Sequence, residues 1–335
     1  MRKLLKNFIN KFINPLGLTA LKSKDYIFVQ KRYNNLATLY NKRCANGRQA
    51  LSNSTSCIVF SKDRSIQLHA LLSSYFELVT NPAPVTVLYH TSSTEHYQAY
   101  RDLADIFVDF QVHFQRQHPG KFKEDLLGIL SRQKSDKIFF LVDDMLFVEK
   151  IDLDNFTCFD TDIFVPSLRL GQNLNFCYTL QQKQPLPNWL NNPQCPPKMM
   201  SWSWQDGKFD WAYPLSVDGH LFGRWEILAM TELLDFTAPN TYEIALQQFS
   251  DIFETRIGIA YKKSAVVNIP WNKVQKEHDN LSGSIHQDHL LAQWRAGKQI
   301  DYQKIYGLPN FSAHQEVSLE LKDRKAFGVA QKIHA

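Results

Sequence analysis

Lys137–Asp144 reads KIFFLVDD: five apolar residues behind a single lysine run directly into two adjacent carboxylates. A short apolar run with polar flanks is the pattern of a strand buried on both faces, as at the centre of an α/β sheet. Outward from it, short apolar runs alternate with helical stretches. Cys57–Phe60 (CIVF) and Val85–Tyr89 read as strands. Ser65–Leu78, with Ile66, Leu68, Leu71, Leu72 and Phe76 apolar, reads as a helix, as do Glu95–Phe107 and Lys123–Gln133. That order predicts an α/β fold with a mostly parallel sheet flanked by helices. Beyond Asp162 the pattern loosens. A strand near Ile163–Leu168 leads into a Pro-, Trp- and Asn-rich loop from Gln184 to Pro214. Helices over Phe222–Leu234 and Tyr242–Phe253 and a last strand at Ala265–Ile269 follow.

With 335 residues, 44% of them hydrophobic and 21% charged, the chain has the composition of a folded protein. No apolar run approaches the roughly 20 residues that cross a bilayer. Five cysteines (Cys44, Cys57, Cys158, Cys177 and Cys195) are odd in number and form no CxxC pair. Neither a zinc ribbon nor a disulfide framework is supported, and a reducing compartment is expected. The net charge of +5 is unevenly held. Residues 1–50 carry eleven Lys and Arg against one acid, Asp25, and the other 285 residues are mildly acidic. That distribution argues against a nucleic-acid-binding body.

Within the basic arm 1–50, Met1–Ile13 (MRKLLKNFINKFI) reads as an amphipathic helix over 2–13. Leu4, Leu5, Phe8, Ile9, Phe12 and Ile13 lie on one side, and Lys3, Lys6 and Lys11 on the other. Asn14-Pro15 ends it. Lys6 and Lys11 interrupt any secretory h-region, so export is not expected. Such a helix suits an anionic membrane surface, or packing on its own domain or a partner. The expected division is the arm 1–50, a catalytic domain 51–325 and a tail 326–335.

Sheets of this kind place ligand chemistry at the carboxyl ends of their strands. Asp143 and Asp144 repel each other unless a cation sits beside them, and a divalent ion shared with substrate phosphates is a common solution. A solvated loop start is the plainer one. Asp160-Thr161-Asp162 precedes a strand instead of ending one and reads as a decoy. Ser61-Lys62-Asp63-Arg64 follows the first strand without GxxxxGK[ST] or GxGxxG, leaving an aspartate for a base or ribose and an arginine for phosphate. Met199–His220 holds Trp202, Trp204, Trp211 and Tyr213 among Asp206, Asp210 and Asp218, a mixture suited to sugar rings or to anchoring a long loop. In Ala238–Leu246, Thr241 or Asn240 would cap a helix with Glu243 in its first turn. Ile285–His289 (IHQDH) reads as surface histidines.

Together these features resemble the GT-A class of nucleotide-sugar glycosyltransferases, and more closely a bacterial family of surface-polysaccharide (capsule and O-antigen) genes. The matching stretches are IVFSKDRSIQLHALLSSY (58–75), FFLVDDMLF (139–147), PSLRLGQN (166–173), SVDGHLFGR (216–224), PNTYE (239–243), VVNIPWNKVQ (266–275) and IDYQKIYGLPNFSAHQEV (300–317). The resemblance implies a Rossmann-type GT-A-like mixed sheet. It implies that Ser61, Asp63, Arg64, Thr91 and Asp143 face the nucleotide. Asp143 and Asp144 would form the Mn²⁺ or Mg²⁺ motif, here Val142-Asp143-Asp144. Glu243 would be the base of an inverting reaction, with Asp218 next in line. Trp202, Trp204, Trp211, Arg169 and His220 would line the acceptor side. His278, His286 and His314 all stand open as a C-terminal metal ligand.

The expected activity is transfer of a hexose-type sugar from a nucleoside-diphosphate donor to a glycan or lipid-linked acceptor. It would take place in the cytoplasm, peripherally at the inner membrane, with no nucleic-acid partner. A nucleotidyltransferase acting on sugar phosphates would also use paired aspartates but lacks its Gly-rich loop here. A carbohydrate-binding protein without catalysis is the remaining alternative.

Overall fold

The computed structural model describes residues 23–46, 54–272 and 285–325, and the chain divides into two units, Met1–Gln49 and Ala50–Ala335. In the first, Ser23–Asn46 is a helix (α1) that leaves Ile27, Phe28, Tyr33 and Tyr40 exposed. The amphipathic helix expected over 2–13 and the tail 326–335 lie outside the described residues.

The second unit is built on a five-stranded sheet. Its parallel strands are β1 (Thr55–Lys62), β2 (Val85–His90), β3 (Val112–Arg116) and β4 (Lys137–Val142). In chain order there follow β5 (Met145–Phe147), β6 (Phe164–Ser167), β7 (Met199–Ser203), β8 (Leu221–Gly223), β9 (Ile257–Tyr261) and β10 (Val266–Asn268). Strand β8 completes the main sheet antiparallel to β4, giving the order β8-β4-β1-β2-β3. Helices α2 (Ser65–Leu78), α3 (Thr94–Ile106), α4 (Phe122–Arg132), α5 (Arg224–Leu233), α6 (Pro239–Leu246) and α7 (Gln287–Arg295) complete the list used below. This is the mostly parallel α/β sheet flanked by helices that the alternation of KIFFLV-like runs and helical stretches predicts.

Register decides which residues share an edge. Phe60 pairs with Leu88 on one side and Val142 on the other, so Ser61, Thr91 and Asp143 emerge together at the carboxyl ends of β1, β2 and β4. Strand β8 runs the other way, with Leu221 opposite Phe139. The residues just before it, Ser216–His220, therefore return to that same edge. There the Gly219 N–H donates to the Phe140 carbonyl at 2.7 Å and its carbonyl accepts from Leu168 N–H at 2.8 Å. Gly219 has φ +77°, and a Cβ would stand 3.3 Å from the Leu168 side chain, so glycine suits this crossing.

A second sheet, β7-β9-β6, ends beside the first through this crossing, which delivers Arg169 to the site. Strand β10 pairs antiparallel with β5, Asn268 opposite Met145, and brings the 266–272 segment over Asp144.

Four expectations change. Phe222 belongs to β8 and the helix starts at Arg224, because three residues add to the edge of the sheet before the helical period begins. Within the expected loop 184–214, Met199–Ser203 is a strand. Val112–Arg116 and Ile257–Tyr261 are strands that the reading did not separate. The helix expected over Tyr242–Phe253 is α6, a 3₁₀ turn Gln247–Phe249 and a short helix Ser250–Phe253.

Candidate active site

At the end of β4, Asp143 is 4% exposed and each of its oxygens has a donor. Oδ2 accepts from Ser61 Oγ at 2.8 Å and from Lys62 N–H at 2.9 Å, while Oδ1 accepts from Arg64 Nη1 at 2.9 Å. Ser61 also meets the Tyr100 hydroxyl. The same Arg64 Nη1 reaches Asp144 Oδ2 at 3.0 Å, and Nη2 donates to the Asn272 carbonyl. The cation that two adjacent carboxylates require is thus Arg64, one turn of chain beyond β1. Burial pushes the Asp143 carboxyl up, Arg64 pulls it down and Asp144 raises it again. Asp144 is more open, its side chain 18% exposed, with the Asn268 amide 3.4 Å from Oδ1.

Beside this pair, Asp63 adopts φ +54°, a left-handed conformation uncommon outside glycine and frequent at functional positions. Its Oδ1 accepts from Ser92 N–H at 2.8 Å and lies 3.8 Å from His96 Nδ1. Its Oδ2 and the Thr91 hydroxyl are buried without a partner among the described residues. Thr91, Asp63 and Arg64 are therefore brought to one corner of the sheet edge.

Across the β4–β8 crossing lies a second charged group. Arg169, buried, has Nη1 3.3 Å from Ser216 Oγ and 3.6 Å from Asp218 Oδ2. Its Nη2 lies 3.9 Å from Asp210 and 3.0 Å from His314 Nδ1. Burial and the Arg169 charge hold His314 well below its ordinary range, so the neutral ring accepts from Arg169. Asp218 is 8% exposed, and its carboxyl is pushed up to about 7. Burial is the main cause; Arg169 opposes it, while Glu243, Asp144 and Asp210 add to it. Glu243 accepts from Val217 N–H at 3.3 Å and bonds the Ser216 side chain. Its carboxyl is raised by burial and lowered by Ser216 and Arg169. Helix α6 begins at Pro239, and Thr241 Oγ1 accepts from Thr237 and Ala238 N–H, so Glu243 stands past the first turn. The helix dipole is not the reason for that acid.

Several expected positions lie elsewhere. Trp202, Trp204 and Trp211 are fully buried and pack edge-to-face on one another, with ring centroids 4.8 and 5.0 Å from Trp202. A Cβ on Gly258 would meet the Trp202 ring at 2.2 Å, so β9 and the indole are in direct contact. These rings have no face open to a sugar; they plug the second sheet. His220 is buried too, near Trp204, with Nδ1 3.0 Å from the Pro214 carbonyl and its pKa lowered by burial to about 3. It is a core histidine and not an acceptor contact. Asp160-Thr161-Asp162 is a turn in which Asp162 N–H donates to Asp160. It sits by Gly223 at the opposite edge of the sheet, where a decoy belongs. His286 and His289 are exposed, and His286 caps α7; His278 lies outside the described residues. Sequence reasoning missed Tyr100, Ser216, Asn268 and Asn272, which carry no local signal and reach the site only through register.

No protein-family model matches the chain. Over 180 residues it is similar to a glycosyltransferase. That relative is the bifunctional glycosyltransferase pgtA of Dictyostelium discoideum, 26% identical. The match covers 48% of this chain and only 23% of the relative, so the chain spans less than a quarter of that protein. Among solved structures, TarS of S. aureus overlays with a TM-score of 0.42 at 12% identity, over 72% of this chain and 43% of that one. A nucleotidyl transferase from Methanothermobacter gives 0.37 at 11%, over 64% and 89%. A mannosyltransferase of Pyrobaculum calidifontis in complex with GDP-Man and Mn²⁺ gives 0.27 at 12%, over 46% and 51%. None of these overlays reaches 0.5, and the chemistry has to rest on this chain's own residues.

The GT-A resemblance implies a divalent ion at Asp143 and Asp144. Asp143 is the poorer metal ligand: it is 4% exposed and accepts three donors, where Asp144 is more open and accepts two. Among the described residues, no group of three His, Cys, Asp or Glu is placed to enclose an ion. Asp144 does suit one, as the single carboxylate that a Mg²⁺-type ion takes when substrate phosphates supply its other oxygens. The residues fit an ion that arrives with a diphosphate.

Proposed function

We propose that this chain transfers a sugar from a nucleoside-diphosphate donor to a hydroxyl of a glycan or lipid-linked acceptor, with inversion, in surface-polysaccharide synthesis. The observation that carries the reading is the place of Asp218: a buried carboxyl 3.6 Å from Arg169, at the same sheet edge as Arg64 and the Asp143-Asp144 pair, where burial pushes its pKa up. A general base works best when its pKa lies near the working pH.

In this reading Asp63 and Thr91 hold the nucleoside and Arg64 faces the diphosphate. Asp218 takes the proton of the acceptor hydroxyl as that oxygen bonds to the anomeric carbon. The bond from that carbon to the diphosphate oxygen breaks, and the nucleoside diphosphate leaves with the electron pair. Mn²⁺ or Mg²⁺ at Asp144 would supply further neutralisation of the leaving group. Glu243 and Arg169 position Asp218: one secures the 216–218 backbone, the other steadies the carboxylate. The basic arm 1–50 brings the chain to an anionic membrane on the cytoplasmic side. No described helix is long and apolar enough to cross one.

The test is a screen of UDP- and GDP-linked sugars with Mn²⁺, reading the released nucleotide. Release of the nucleoside diphosphate, lost in Asp218→Asn, is the expected result. Release of pyrophosphate would assign nucleotidyl transfer instead, and no release from any donor would leave a binding protein.

A further inference from the structure

A single nitrogen of Arg64 serves both aspartates. Nη1 lies 2.9 Å from Asp143 Oδ1 and 3.0 Å from Asp144 Oδ2. The rest of the side chain is held unequally. Nη2 is tied to the Asn272 carbonyl, whose own side chain is held by Gln67 at 2.9 Å. Nε is buried without a partner among the described residues. Asp143 cannot follow Arg64 anywhere, because Ser61 and Lys62 fix it. The Asp144 side chain is held by less, with only a 3.4 Å contact to Asn268 besides Arg64.

We infer that Arg64 is a lock on Asp144, one that keeps divalent cations off this carboxylate until a diphosphate draws the guanidinium away. This rests on the glycosyl-transfer reading only in naming the diphosphate. A cation approaching Asp144 Oδ2 meets the positive Nη1 at 3.0 Å from the same oxygen, and little solvent lies between to screen the repulsion. Arginine prefers to offer a planar fork of two nitrogens to two oxygens of one group, which a phosphate accepts; here a single nitrogen is divided between two carboxylates. The unpartnered Nε is the half of that fork that the resting state leaves unused. A diphosphate also brings more negative charge than the half-share in Asp144 that Arg64 would give up. Cation and nucleoside diphosphate should therefore bind as a unit, and the cation alone should bind poorly.

The test reads Mn²⁺ binding by electron paramagnetic resonance at matched free Mn²⁺, without turnover. Wild type, Arg64→Gln, Arg64→Lys and Arg64→Gln/Asp144→Asn are titrated with the metal alone, and wild type also with UDP, GDP or inorganic pyrophosphate. Arg64→Gln should bind Mn²⁺ alone about tenfold more tightly than wild type, and the double variant should lose that gain. Arg64→Lys, which keeps the charge, should remain weak. Wild type should gain at least about tenfold when a diphosphate is present. An Arg64→Gln protein, folded by circular dichroism, with no gain in metal-alone affinity would overturn the lock. Should that variant not fold, wild-type affinity indifferent to pyrophosphate would overturn it equally. If Arg64→Gln gains affinity for Mn²⁺ alone and pyrophosphate raises the wild-type affinity while neither UDP nor GDP does, the lock stands and the donor reading falls.

Discussion

Asp218 Oδ2 stands 3.6 Å from Arg169 Nη1, within an ion pair's reach but too far for a hydrogen bond. The cation therefore restrains the upward push of burial on Asp218 without cancelling it, and the carboxyl comes to about 7.

The rate should follow that balance. Turnover is expected to fall on the acid side with an apparent pKa near 7, as Asp218 takes up a proton and ceases to be a base. Replacing Arg169 with Met removes the charge that favours the anion, so the acid limb should move to higher pH. Profiles of kcat/KM over about pH 5 to 9 for both proteins check this. A limb that stays in place in Arg169→Met would detach it from this pair.

Stability should show the opposite sign. Folding raises the Asp218 carboxyl from 3.8 to about 7, so its contribution is fully present below 3.8 and is lost as pH rises through 7. Asp218→Asn carries no such charge. Its melting temperature relative to wild type should rise between about pH 4 and pH 8, by the equivalent of a few kcal/mol at most. Thermal melts at both pH values measure the difference directly.

Glu243 and Asp218 can be separated by rate. In Glu243→Gln the amide oxygen still accepts from Val217 N–H, so the loop keeps its position. We expect kcat within about tenfold of wild type, against a loss of about 10²–10⁴ for Asp218→Asn. The reverse ranking would return the base to Glu243.

The tryptophan cluster predicts a loss of stability and not of recognition. Trp202→Ala should cost about 3–5 kcal/mol in urea unfolding, as expected for a large buried side chain. Trp211→Phe, which keeps a ring in the cluster, should leave the acceptor KM unchanged. A rise in that KM at unchanged stability would restore the sugar-platform reading.

What was legible in the chain follows from range. KIFFLV, CIVF and the helix Ser65–Leu78 declare themselves because a residue's burial in them is set by its immediate neighbours. Leu221–Gly223 does not: three apolar residues ahead of a helix look like its first turn until β4 is placed beside them. The aromatic loop misleads for a similar reason. Tryptophans among aspartates compose a sugar platform or a core plug equally well, and Gly258, more than fifty residues away, settles the matter by leaving room for an indole. Arg64 was legible as a phosphate-facing cation, but its hold on Asp144 depends on a register between β1 and β4 that no local pattern encodes.

The two hydrogen bonds of Gly219 have a mechanical consequence. One residue donates to Phe140 in the main sheet and accepts from Leu168, which leads out of the second. Asp218 rides on this rivet, and the turn that bears Asp144 begins three residues after Phe140. The spacing between the two acids is thus set by main-chain bonds and resists changes in the side chains around it. Loops further out can be exchanged or lengthened without altering that gauge. An ester in place of the Gly219 amide, which deletes one N–H and leaves all side chains as they were, would loosen it.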